Sequence, residues 1–139
     1  MLGKLAKRLR LLGFDVFYSN RLDDNSLINV ALEQNRMILT RDRGLAVRPL
    51  ASNNIFILSN DIEEQLLQVL SSVHPDESIH PLTRCSVCNQ LLTEVFHEEI
   101  KDNVPRYVYD THSTFLHCSS CGRIYWRGTH MQGLERADS

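Results

Sequence analysis

The sequence has no apolar run near the roughly 18 residues that a membrane span needs, so it offers no transmembrane segment. It has almost no net charge. The formal value is −2 over 139 residues, which gives no global signal for nucleic acid. No cysteine lies outside two Cys-x-x-Cys pairs, and no secretory signal precedes them. The thiols therefore read as metal ligands in a cytoplasmic setting before they read as disulfides. There is no internal repeat and no low-complexity tract.

What is present is enough apolar material, 42%, to build a packed core. The length suits one domain, or one small domain plus a metal-stapled module. Charge is unevenly spread. Residues 1–14 hold Lys4, Lys7, Arg8 and Arg10 and no acid, whereas residues 60–77 hold Asp61, Glu63, Glu64, Asp76 and Glu77 and no Lys or Arg. Separated charges of this kind can orient a polyanion such as RNA, although most charge runs are solvated faces. The basic, amphipathic start has the character of a transit peptide. However, Asp15 follows closely and no Ser-rich linker intervenes, so a domain helix is the better reading.

Leu2, Leu5, Ala6, Leu9 and Leu12 recur at helical spacing, with Lys4, Lys7, Arg8 and Arg10 on the other face and Gly13 as the stop. Phe14 to Tyr18 reads as a short strand. Asp23, Asp24, Asn25 and Ser26 are N-cap residue types opening a helix that ends near Asn35. Met37 to Leu39 and Ile55 to Leu58 are short apolar runs that read as buried parallel strands. Asp61 opens a helix with Ile62, Leu66, Leu67, Val69 and Leu70 on its apolar face. Alternation of strands and helices predicts an α/β domain with a parallel sheet over residues 1–72. Pro75 and Pro81 mark residues 73–83 as a linker.

Cys85-Ser-Val-Cys88 and Cys118-Ser-Ser-Cys121 predict two knuckles that supply four thiolates to one structural zinc. Asn89 and Gly122 follow the second cysteine of each knuckle, where a left-handed backbone is often needed, and these residue types tolerate it best. Leu91 to Phe96, Phe115 to His117 and Ile124 to Trp126 read as the flanking strands. A redox dithiol or two disulfides are the competing readings. Four thiolates close the shell, so His112 and His117 are expected to be surface or core histidines.

Asp42 follows a predicted parallel strand at its C-terminal end, the edge where ligands bind in open α/β sheets. Asp24 opens the preceding helix. Carboxylates converging there suit Mg²⁺ or Mn²⁺, which activate water against phosphodiesters. Arg41 and Arg43 flank Asp42 and are placed to contact phosphate. Equally, Asp24 reads as an N-cap and Asp42 as a turn residue held by the arginines.

Four segments carry a family resemblance: MLGKLAKRLRLLGFDVFY, DDNSLINVALEQNRMILTRDRGL, RCSVCNQLL and VPRYVYDTHSTFLHCSSCGRIYWRGTH. Together they resemble the Mut-seven C-terminal RNase domain family, a PIN-like nuclease fold followed by a zinc ribbon. The resemblance implies metal-dependent cleavage of RNA, single-stranded for preference. Asp42 matches the aspartate of the family's T-R-D-R motif, and Asp24 the acid opening the preceding helix, with Asp23 as its alternative. Tyr125-Trp126-Arg127-Gly128 through His130 matches the family's tail motif, in which Trp126 is read as packing. Chains of this kind begin with a central strand ending in an aspartate just before the Met-Leu-Gly segment. For a chain starting at Met1-Leu2-Gly3, the resemblance implies a shortened PIN-like sheet, weak activity and self-association through exposed sheet edges. The expected layout is a PIN-like domain over 1–72, a linker over 73–83, a zinc ribbon over 84–130 and a tail over 131–139. The competing reading is a non-catalytic RNA- or protein-binding module built on the ribbon. A purely structural zinc-stabilised interaction protein is the third.

Overall fold

The leucine spacing at the start of the chain forms a helix, α1 (Gly3–Leu11), that buries Leu5, Ala6 and Leu9. Gly13 ends it with φ at 102°, donating its N–H to Arg10 O at 2.9 Å while Phe14 N reaches back to Leu9 O at 3.0 Å. A Cβ at Gly13 would lie 2.1 Å from the carbonyl oxygen of His80. Gly13→Ala adds this backbone collision to the ordinary positive-φ penalty. It is expected to lower stability by about 2 kcal/mol or more, read as a shift in the denaturation midpoint.

The computed structural model describes residues 2–75, 79–127 and 134–137. They fall into two units, Met1–Leu5 with Tyr18–Asp76, and Ala6–Phe17 with Glu77–Ser139. In the first unit, α2 (Asp24–Glu33) starts behind Asp23, whose carboxylate accepts the N–H of Ser26 at 2.8 Å. Two short strands, β1 (Ile38–Thr40) and β2 (Asn54–Phe56), pair in parallel with Ile38 opposite Asn54 and Thr40 opposite Phe56. Between them lie α3 (Arg43–Ala46) and a 3-10 turn over Pro49–Ala51. α4 (Ile62–Ser72) begins behind Asp61, which accepts the N–H of Glu64 at 3.1 Å. Ile28, Ala31, Ile38, Leu45 and Ala51 form one buried cluster, and Ile57, Leu66 and Val69 are buried as well. The expected α/β architecture with a parallel sheet is present.

The second unit is built on an antiparallel sheet in the order β3 (Thr93–Val95), β4 (Phe115–His117), β5 (Ile124–Arg127) and β6 (Leu134–Ala137). Three of these are the strands expected to flank the knuckles. The fourth lies in the stretch read as a tail. The segment joining β3 to β4 folds into a 3-10 turn over His97–Ile100 and α5 (Arg106–Thr111). Its Ile100, Val104 and Val108 pack with Phe115, Ile124 and Trp126 into a core. Trp126 meets Phe115 edge-on at 6.3 Å and is buried, which bears out its reading as packing.

Two expectations fail. Phe14 to Tyr18 forms no strand. The N–H of Val16 goes to Asn89 Oδ1 at 3.0 Å, and its carbonyl accepts from Arg10 Nε and Nη2 at 2.9 and 2.8 Å. Side chains thus take the groups that a ladder would use. Arg10, placed with the solvated cations of α1, is only 8% exposed, because carbonyl acceptors satisfy its guanidinium and make burial tolerable. Asp76, Glu77, Gly128 and His130 lie outside the described residues.

Candidate functional site

Each cysteine pair is folded by its own short hairpin. At the first, Cys85 N donates to Gln90 O at 2.9 Å and Asn89 N returns to Cys85 O at 2.9 Å. At the second, Cys118 N donates to Arg123 O at 3.0 Å and Gly122 N returns to Cys118 O at 2.7 Å. The same chain reversal occurs twice, and Asn89 and Gly122 hold the positive φ it requires, 64° and 79°. The four cysteines are free thiols whose sulfurs all lie within 4.8 Å of one another. Sulfurs about 2.3 Å from one tetrahedral ion sit about 3.8 Å apart. Cys85 Sγ and Cys121 Sγ are separated by 3.7 Å, the spacing two ligands of one tetrahedral ion would have. A disulfide would need about 2.05 Å.

Cys88, Cys118 and Cys121 are shifted in different directions. Burial, the Cys121 contact and neighbouring thiol charge push Cys88 up to about 12. Burial also raises Cys118. At Cys121 burial pulls upward too, but hydrogen bonds from Arg123, Cys118 and Cys88 outweigh it and bring the thiol down to about 6. A divalent ion reverses this arrangement by displacing protons from sulfur. Because Cys88 holds its proton until a metal removes it, apparent metal affinity is expected to fall about tenfold or more per unit as pH drops from about 8 to about 6. Metal titrations at several pH values check the slope.

Among the described residues, the metal-ligating group is confined to the cysteines. His117 Nδ1 faces Thr93 Oγ1 at 3.2 Å, and His112 Nε2 faces the carbonyl of Arg127 at 3.0 Å. Sequence reasoning missed the residues behind the sulfurs. Tyr125, wholly buried, brings its hydroxyl to 3.0 Å from Cys85 Sγ, and Arg10 holds carbonyls of the first knuckle. Tyr125 was visible only as part of a motif, and nothing local marked Arg10.

In the first unit, Asp42 lies just beyond the C-terminal end of β1 and caps α3, accepting the N–H of Gly44 at 2.8 Å through Oδ1. The flanking arginines do not hold it. Arg43 lies over the ring of Phe56 at 4.9 Å, and Arg41 Nη1 is buried without a hydrogen-bond partner. Asp23, rather than Asp24, is the cap of α2. Backbone and side-chain bonds from Ser26 hold its carboxyl below the usual range, so it stays charged and engaged. Asp24 is the first residue of the helix and is exposed. Arg48 Nη2 donates to Asn25 Oδ1, tying the first turn of α2 to the chain leaving α3. Asp61, at the start of α4, follows β2 at the same end of the parallel pair as Asp42. The sequence marks it only as a helix opener.

The family model of the Mut7-C RNAse domain matches residues 1–137. The chain belongs to the Mut7-C RNAse domain family. No curated protein and no solved structure matches it. Membership of the Mut7-C RNAse family implies a nucleic-acid substrate. The match spans both the α/β unit and the sheet with the four-cysteine group, which is consistent with a zinc ribbon. No helix among the described residues of this Mut7-C chain is long and apolar enough to cross a membrane.

Proposed function

We propose that this chain is a metal-dependent ribonuclease domain acting on single-stranded RNA, with Asp24 and Asp42 as ligands of a divalent Mg²⁺ or Mn²⁺ ion. In the same reading, Cys85, Cys88, Cys118 and Cys121 hold a structural zinc. The family match carries the reading, and the position of Asp42 past a parallel strand supports it. A divalent ion there would supply activation of water and neutralisation of charge at the phosphodiester. The chain's own contribution is placement. The cap bond to Gly44 N engages one oxygen of Asp42 and leaves the other available. Arg41 and Arg43, which flank Asp42 in the chain, bring positive charge to this end of β1 for the phosphate backbone. Ligand cysteines need a reducing compartment, which supports a cytoplasmic location. Self-association through the edges of the two-stranded β1–β2 pair belongs to the same reading.

The test is cleavage of end-labelled single-stranded RNA with Mn²⁺, with and without chelator. Cleavage that requires the metal is the outcome that supports this reading. Retention of RNA without cleavage would instead favour the binding module.

A further inference from the structure

We propose that Arg10 and Tyr125 are positioning residues of the metal centre, fixing the Cys85–Cys88 knuckle in the shape that receives the ion. The inference rests on the reading that the four cysteines hold zinc.

In this knuckle Cys88 N lies 3.4 Å from Cys85 Sγ and donates toward it. That N–H shares a peptide group with the carbonyl of Val87, and the N–H of Val87 shares one with the carbonyl of Ser86. A peptide that turns its N–H toward the sulfur turns its carbonyl away. Arg10 Nη1 donates to both carbonyls, at 3.0 Å to Ser86 O and 3.2 Å to Val87 O. A cation at the oxygen end of a peptide polarises its N–H end, which strengthens donation to a thiolate. The other donors of Arg10 go to Val16 O, so the guanidinium is fixed from two sides. Its charge also counters the negative sulfurs. Burial lowers the pKa of Arg10, while Cys85 and Cys88 act in the opposite direction.

Tyr125 braces the same knuckle from β5. Its hydroxyl oxygen accepts the N–H of Ser86 at 3.0 Å, which leaves its hydrogen to point at Cys85 Sγ, 3.0 Å away, or at Ser86 Oγ, 3.2 Å away. As a thiolate ligand of the ion, Cys85 would offer the stronger acceptor of the two. Asn89 then locks Asp15 and Val16 onto the knuckle. Its Oδ1 accepts from Val16 N and its Nδ2 donates to Asp15 Oδ1 at 2.7 Å. Residues 6–17 are therefore an integral part of the ribbon unit, not an adjacent helix that happens to touch it. Outer partners of metal ligands typically change affinity 10–100-fold when removed.

The experiment compares the full chain with Arg10→Met, Arg10→Lys, Tyr125→Phe and the exposed-charge control Lys7→Met. Zinc affinity is read by competition with a chromophoric chelator, and the thiolate-to-metal band is read in the cobalt(II) form. Arg10→Met should weaken zinc binding about 10-fold or more, and Arg10→Lys should recover part of the loss by keeping the charge without the fork. Tyr125→Phe should weaken it about 10-fold and move the cobalt band to lower energy, because Cys85 loses a hydrogen-bond donor. Lys7→Met should match wild type. If Arg10→Met does not fold, Arg10→Lys and Tyr125→Phe carry the test. Folded Arg10→Lys and Tyr125→Phe proteins with wild-type affinity and an unmoved band overturn the inference alone. A wild-type chain that takes no zinc overturns the metal reading and this inference with it.

Discussion

Cys118→Ser, or chelation of the wild-type chain, is expected to release the second unit at its sulfur end and leave the first unit intact. The reason lies in how the second unit divides its core. Cys85, Cys118 and Tyr125 form one buried cluster, with Leu11, Leu82, Leu92 and Leu116 packed against it. A separate cluster, around Phe115, Val108 and Trp126, contains no ligand. A structural zinc in a small module supplies about 10–16 kcal/mol of apparent binding free energy at neutral pH. That equals or exceeds the whole stability of a typical domain, roughly 5–15 kcal/mol. Loss of one sulfur leaves three thiols close together in a buried site with no cation among them. Amide exchange should therefore rise at Ala6–Phe17 and around Cys85 and Cys118, rise less at α5, and stay unchanged in β1, β2 and α4. Elemental analysis should fall from one zinc per chain toward zero. A zinc-free chain with wild-type exchange around Cys85 would show that sheet and packing hold the knuckles without the ion.

The local features of this fold were legible because short-range chemistry dictates them. Cysteine spacing predicted the knuckles, and the tolerance of Asn89 and Gly122 for positive φ placed the reversals. Asp61 announced α4, and the apolar runs announced β1 and β2. What failed was what long-range partners decide. Val16 looked like strand residue, but its peptide groups are taken by Arg10 and by Asn89, 73 residues away. Arg10 looked solvated because helical periodicity says which face a residue is on and not what covers it. The segment between the knuckles hid α5 for a similar reason. Arg106–Thr111 is a short helix stabilised by burying Val108, not by a strong propensity signal. At the acidic edge, the sequence marked Asp23 and Asp24 together, and only the cap bond to Ser26 separates their roles.

Asp42→Asn is expected to remove RNA cleavage while leaving the protein folded. Asparagine caps a helix about as well as aspartate, so the bond from Gly44 N survives the substitution and α3 keeps its start. What disappears is one negative charge at the end of β1. Hard divalent cations bind carboxylate oxygens, and a neutral amide is a weaker ligand in their place. Loss of ion and water activation together should lower kcat/KM at least about 100-fold, or about 2.7 kcal/mol on the barrier. Melting temperature should change little. Asp24→Asn should act in the same direction, because Asp24 is exposed and leaves capping to its neighbour. Asp23→Asn is the informative contrast. Asp23 is already engaged by Ser26, and asparagine replaces it as a cap, so cleavage and Mn²⁺ binding should remain near wild type. Mn²⁺ binding followed by electron paramagnetic resonance, beside the cleavage assay, separates loss of metal from loss of RNA. If Asp23→Asn abolishes Mn²⁺ binding and Asp24→Asn does not, the cap residue is the ligand and the assignment moves by one position. If Asp42→Asn cleaves like wild type, the carboxylate past β1 takes no part in the reaction.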